Sequence, residues 1–196
     1  MKLSLSTDYG SPQHWGRLVA FAREAGVSRL VFWGDYSNAG FQSPFLYPRY
    51  PGLRPEAERP RVECIRERLR AAAGKARAAG MELWEVSQVL QVSCGASLPD
   101  MLNPHGEPDM DGEAVYRYVR DQLDELFDLA PGIAGIELWV MECVDVRIAD
   151  LQHQRLPLQG ICERVVDTVH AHLAAWGRRL AGDAAHRTRS RAAPGA

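Results

Sequence analysis

The chain has 196 residues, 46% of them apolar and 24% charged, with a formal net charge of −2, proportions ordinary for a soluble globular protein. That near-neutral balance excludes the basic field that attracts nucleic acid or an anionic membrane, so neither is expected as a partner. The length predicts one domain, no apolar run is long enough for a signal peptide or a membrane span, and four scattered cysteines, Cys64, Cys94, Cys143 and Cys162, predict free thiols in a reducing cytoplasm rather than a disulfide framework or a zinc site.

Leu3 to Thr7 opens the chain as a strand. Ser11-Pro12 then supplies an N-cap and a first helical residue, and Leu18, Val19, Phe21 and Ala22 give that helix an apolar face through Ala25. Ala25-Gly26-Val27 leads into a second strand that runs to Asp35. A helix from about Arg61 to Ala79 follows, with Val62, Ile65 and Leu69 at helical spacing. Ala79-Gly80-Met81 leads into a third strand, Glu82-Leu83-Trp84-Glu85. The next helix starts near Gly112 and presents Val115, Tyr118, Val119, Leu123, Leu126 and Phe127. Ala134-Gly135-Ile136 leads into Glu137-Leu138-Trp139-Val140-Met141-Glu142, a fourth strand. A last helix from about Leu158 presents Ile161, Val165, Val169, Leu173 and Trp176. The three recurring Ala-Gly lead-ins fit helix C-caps placed just before a strand.

The order βαβαβαβα calls for a parallel sheet covered by helices, either an open doubly wound sheet or a barrel. The first strand–helix turn, Thr7 to Pro12, has no GxGxxG, and the chain carries no GxxxxGK[ST], so a nucleotide site is not expected. Strands one to four end in or carry Asp8, Asp35, Glu85 and Glu142. Acidic groups at the C-terminal ends of parallel strands are where a (β/α) barrel keeps its chemistry. Two long loops, residues 36–60 and 88–111, are rich in aromatic residues or proline and predict an ordered rim.

The segment Ala134 to Asp145, AGIELWVMECVD, and its lead-in Leu126-Phe127-Asp128-Leu129-Ala130-Pro131-Gly132-Ile133 resemble the N-terminal half of a TIM-barrel glycoside hydrolase, and are similar to α-glucuronidase-like barrels. The resemblance implies a carbohydrate partner, no cofactor, and a general acid/base Glu at the end of strand four, the position of Glu142. It also implies a nucleophile at the end of strand seven, beyond the four strands seen here. Glycoside cleavage needs a carboxyl group that stays protonated near neutral pH. Trp139, Val140, Met141 and Cys143 beside Glu142 would desolvate it and raise its pKa. Trp33, Trp84 and Trp139 offer faces on which a sugar stacks, or they pack the barrel. Asp8, Asp35, Glu85, His105 and Asp145 are the further substrate-contact candidates. Glu82 and Glu137 fall where they would enter the lower layers of the barrel or pair with an Arg.

Two other functions remain open. One is a metal-dependent, sugar-isomerase-like barrel with Glu142 as a ligand. The other is a catalytically inactive half-barrel that associates through open sheet edges with a second copy or a separate partner. A complete barrel takes about 250 residues, so residues 1–180 are expected to form half of one. Residues 181–196, rich in Ala and Arg, are expected to be a disordered basic tail unable to form a fifth strand. That tail is either solvated or, as we favour, the mark of a truncated or frameshifted chain.

Overall fold

The computed structural model describes residues 4–7, 12–33, 44–87, 99–138, 151–177 and 179–182. Strand β1 (Ser4–Thr7) is followed by α1 (Pro12–Glu24), β2 (Arg29–Trp33), α2 (Arg59–Ala78), β3 (Glu82–Ser87), α3 (Ala114–Leu129), β4 (Ile133–Leu138), α4 (Leu158–Ala175) and β5 (Arg179–Gly182). The strands lie in chain order, every neighbouring pair parallel. The expected four βα units are therefore present in an open sheet, with β1 and β5 at its edges. No helix among the described residues is long and apolar enough to cross a membrane.

Each helix forms because its apolar residues recur on one stripe that the sheet can cover. Trp15, Val19 and Ala22 of α1 are buried, as are Val62, Ile65, Leu69, Ala72, Ala73 and Ala76 of α2. Helix α3 buries Val115, Tyr116, Tyr118, Val119, Leu123, Leu126 and Phe127, and α4 buries Ile161, Val165, Val169 and Leu173. Alternation along the strands separates two faces. Leu30 and Phe32 of β2, Leu83 of β3 and Ile133, Ile136 and Leu138 of β4 join the helices in the main core. Val31, Trp84 and Val86, with Ala134 beside them, form a separate cluster on the opposite face.

Two of the three Ala-Gly lead-ins act as expected. Gly26 and Gly80 adopt φ of +68° and +70°, and the amides of Val27 and Met81 reach back to the carbonyls of Ala22 and Ala76 at 2.8 and 2.9 Å. Only a residue without a Cβ takes that left-handed turn at no cost. The third differs. Helix α3 stops at Leu129, ahead of Pro131, and β4 begins at Ile133, so Gly135 lies inside the strand. There the register shifts: Leu83 pairs with Ile133 but Trp84 with Gly135, leaving Ala134 as an extra residue. A glycine inside a strand is suited to such a bulge.

The expectation that the sheet ends with four strands is corrected by β5, which pairs with β4 from Gly135↔Arg179 to Leu138↔Gly182. An edge strand is held largely by its backbone ladder, so a segment whose one large apolar residue is Leu180 still qualifies. Ala181 and Gly182, expected in the tail, belong to this strand, and residues 183–196 lie outside the described residues. Cys64 is exposed and Cys162 buried, both as free thiols.

Candidate functional site

Parallel pairing brings the C-terminal ends of all five strands to one edge of the sheet. Of the residues expected there, Asp8, Asp35, Trp139, Glu142 and Asp145 lie outside the described residues. Trp33 closes β2, and its side chain is outside them too.

Glu85 and Trp84 are placed on opposite faces. Glu85 is buried, with 3% of its surface exposed, and its register partners are Phe32 and Ile136, both in the main core. Alternation therefore directs it towards the helices with Leu83. Trp84, also 3% exposed, faces the other way. Its Nε1–H donates to Glu82 Oε2 at 3.1 Å, and the Arg29 guanidinium lies 4.0 Å from its ring centroid. Arg29 Nε is 3.7 Å from the same Glu82 carboxylate. Glu82 thus pairs with an Arg, one of the two roles its position suggested. Trp84 has its ring face occupied by a cation and packs against Val31 and Val86.

The described parts of the loops after β3 and β4 are joined into one rim. In Asn103-Pro104-His105-Gly106-Glu107-Pro108 the Asn103 Oδ1 accepts the amides of His105 and Glu107 at 2.9 and 3.1 Å, an Asx turn that folds the segment on itself. This turn presents Glu107 to the other loop. Its carboxylate accepts the amides of Gln152 and His153 at 3.3 and 3.0 Å, the Gln154 side-chain amide at 3.0 Å, and lies 2.7 Å from His153 Nδ1. Asp111 does the same one turn on, accepting the amides of Arg155 and Leu156 at 2.7 and 2.9 Å. Asn103 Nδ2 closes the rim on the His153 carbonyl at 3.2 Å. His105 then stacks on His153, with ring centroids 3.9 Å apart and ring planes nearly parallel.

These contacts set the charge state of the rim. The His153 side chain, followed by the loop amides, pulls the Glu107 carboxyl down to about 2 against opposing desolvation. The Arg155 amide, then that of Leu156, holds Asp111 below the usual carboxylate range. Hydrogen bonds to the ionised form favour it, so both groups stay charged and act as tethers rather than proton donors. Below the rim, Arg164 donates to Glu113 at 2.7 Å and to the Asp111 carbonyl at 2.9 Å, lowering the Glu113 pKa. Its guanidinium covers the Tyr116 ring at 4.1 Å. Among the described residues no group of three or more His, Cys, Asp or Glu side chains converges as a metal site would.

His105 is the one sequence-nominated contact residue that this rim contains. Glu107, His153 and Asp111 were missed. The compact Asn-Pro-His-Gly-Glu-Pro turn marks one half of the rim, but its partners lie 45 to 50 residues away in the chain, and no local pattern announces them.

No protein-family model matches the chain, and no curated protein matches it. Solved structures do. A hypothetical protein from Ruminiclostridium thermocellum aligns over 91% of this chain and 96% of its own, with 10% identity and a TM-score of 0.59. The chitobiase of Flavobacterium johnsoniae aligns over 92% of this chain and 30% of its own, with 11% identity and a TM-score of 0.59. A family 20 exo-β-N-acetylglucosaminidase from Vibrio harveyi, solved with N-acetylglucosamine, aligns over 92% of this chain and 35% of its own, with 12% identity and a TM-score of 0.58. The likeness is one of fold: the chain has the architecture of part of a TIM barrel. It spans about a third of the length of these two glycosidases.

Proposed function

We propose that the chain forms the N-terminal part of a glycoside-hydrolase-like (β/α) barrel that binds carbohydrate at the C-terminal ends of its strands, with Glu142 as general acid/base. The supporting observation is the run of parallel strands in chain order, superposable on part of two glycosidase barrels. In sequence Glu142 comes four residues after Leu138, the last residue of β4, and barrels of this kind hold their reacting groups beyond the C-terminal ends of their strands. Asp8 and Asp35 stand in the same relation to β1 and β2. The rim that Glu107 and Asp111 tie together holds residues 103–111 against residues 152–156, and a fixed wall of this kind is what sugar positioning needs.

The two-carboxylate mechanism requires a second acid opposite the first, and four βα units supply only the first. The 196-residue chain is therefore expected to bind sugar without hydrolysing it. N-acetylglucosamine is the first ligand to try, an aryl glucuronide the second, the latter following the α-glucuronidase-like character of AGIELWVMECVD. Binding is measured by calorimetry, and hydrolysis with aryl glycosides of both sugars. Saturable binding that weakens in Glu142→Gln and Asp35→Ala supports the reading. Absence of binding to either sugar, or binding indifferent to both substitutions, would remove Glu142 from the site.

A further inference from the structure

Register decides which way the one carboxylate of β4 points. Ile136 and Leu138 both lie in the main core with the helices, so alternation turns Glu137, between them, to the opposite face. Its register partner on β3 is Val86, a member of the cluster on that face with Val31 and Trp84. Val86 in turn pairs with Trp33, the last residue of β2. Glu137 is the fifth of the six residues of β4, so it stands in the last row on this face before the strands end. In a (β/α) barrel that row borders the mouth where ligands are held.

Two properties set Glu137 apart on this face. The first is access. Val31, Trp84 and Val86 are at most 5% exposed, whereas Glu137 is only half-buried and keeps a path to solvent. The second is the lack of a partner. Lower on the same face, Glu82 lies 3.7 Å from Arg29 and receives the Trp84 indole N–H. Glu137 makes neither a hydrogen bond nor an ion pair with any described residue. A carboxylate beside Val86 and its apolar neighbours loses hydration without gaining a cation. A purely structural position avoids that cost by pairing the charge or by an apolar side chain.

An ionised carboxylate only accepts hydrogen bonds. It therefore suits a ligand that brings hydroxyl or amide N–H donors, and it repels a second carboxylate held against the same wall. A neutral sugar ring meets both parts of this face, with hydroxyls for Glu137 and C–H groups for Val86. A uronate carries another negative charge into the same half-buried recess. We propose that Glu137 is a specificity-determining residue of the strand-end site, accepting hydroxyls of a neutral sugar and excluding uronates. This assignment rests on carbohydrate binding at the strand ends. It leaves the acid/base role with Glu142 and chooses N-acetylglucosamine over glucuronate as the ligand.

The test is a titration of the ¹⁵N-labelled full chain with N-acetylglucosamine and with glucuronate at neutral pH, followed at the backbone amides of Val86 and Leu138. Wild type, Glu137→Gln, Glu137→Ala and Glu142→Gln are compared. Saturable shifts with N-acetylglucosamine are expected in the wild type, with glucuronate bound about tenfold or more weakly. Glu137→Gln keeps an acceptor but loses the charge. It should bind glucuronate about tenfold better, with N-acetylglucosamine changed by less than about threefold. Glu137→Ala should weaken N-acetylglucosamine about tenfold, the loss of a charged acceptor. A residue that merely supported the strand would not exchange one sugar for the other. Wild-type binding of glucuronate as tight as that of N-acetylglucosamine would overturn the assignment. So would a ratio of the two affinities unchanged in Glu137→Gln. If N-acetylglucosamine binding falls in Glu142→Gln yet ignores both Glu137 variants, the strand-end site stands and the role of Glu137 falls. If neither sugar binds any of the four proteins, both fall together.

Discussion

Two carboxylates organise the loops of this protein, each from a place where the local sequence would allow an ordinary surface acid. Glu107 holds the segment after β4, and its pKa sets how that hold depends on pH. The group falls from 4.5 to about 2 in the folded chain. A depressed carboxylate contributes stability that is fully present above its unfolded value and is lost as pH falls through the folded one. The tether should therefore persist at pH 4.5 and release only towards pH 2, with Asp111, shifted in the same direction, adding to it. The Gln152 and His153 amide resonances, followed from about pH 6 downwards, should titrate with a midpoint near 2, and Glu107→Gln should abolish that step. A midpoint near 4.5 would show that the hydrogen bonds do not hold in solution. Glu125 works in a drier setting, its side chain 8% exposed and opposite Arg66. Removing one member of such a pair leaves the other charge uncompensated, so Glu125→Ala should cost about 3 kcal/mol in urea unfolding. It should also open segment 44–54 to proteolysis, since Glu125 accepts the Leu46 and Tyr47 amides.

Among the elements, α2 shows how one residue type takes opposite signs within a few positions. Gly80 ends the helix at φ +70°, where a Cβ would meet the preceding carbonyl, and Gly80→Ala should destabilise by about 1 kcal/mol. Gly74 lies inside the same helix, exposed, with nothing within 4 Å of an added Cβ. Gly74→Ala should instead stabilise by roughly 0.5–1 kcal/mol, since alanine loses less backbone entropy in a helix. Chemical denaturation of the two variants side by side checks both signs at once. The bulge at Ala134 is the other feature of this scale. It shifts the register of β4 on β3 and leaves Glu137 opposite Val86, on the face of the sheet away from the helices.

For the whole molecule the decisive feature is that the described sheet does not close. β1 and β5 each leave one row of backbone groups unpaired by a neighbouring strand, the usual template for association. β5 is short, yet it covers the edge of β4 from Gly135 to Leu138. Truncation after Gly177 would uncover that edge and the residues of α4 that β5 contacts. The truncated chain should melt lower than the full chain and elute larger on size exclusion. An unchanged melting temperature with a monomeric profile would show that β5 contributes no stability. If the inactive half-barrel reading is right, adding a chain that supplies the remaining strands should compete with this self-association.

Local sequence determined the helices, the parallel order and two of the helix stops. Val62, Ile65 and Leu69 recur at helical spacing, and Ala-Gly before an apolar run needs only one left-handed residue; both are short-range requirements that any four or five residues disclose. It determined less well where strands begin. The Ala-Gly pattern puts a cap at Gly135 where the structure has strand from Ile133, because a bulge is defined by the neighbouring strand and not by the strand that carries it. β5 escaped for a related reason: a four-residue ladder with Leu180 as its one large apolar residue leaves too short an apolar signature to read. Tertiary structure alone decided the partners. It placed Glu85 towards the helices, set Arg29 over Trp84, joined Glu107 to His153 and left Glu137 without a partner among the described residues. Those outcomes depend on which residues the folded chain brings within a few ångströms of one another, and hydrogen bonds and charge pairs act only at that range.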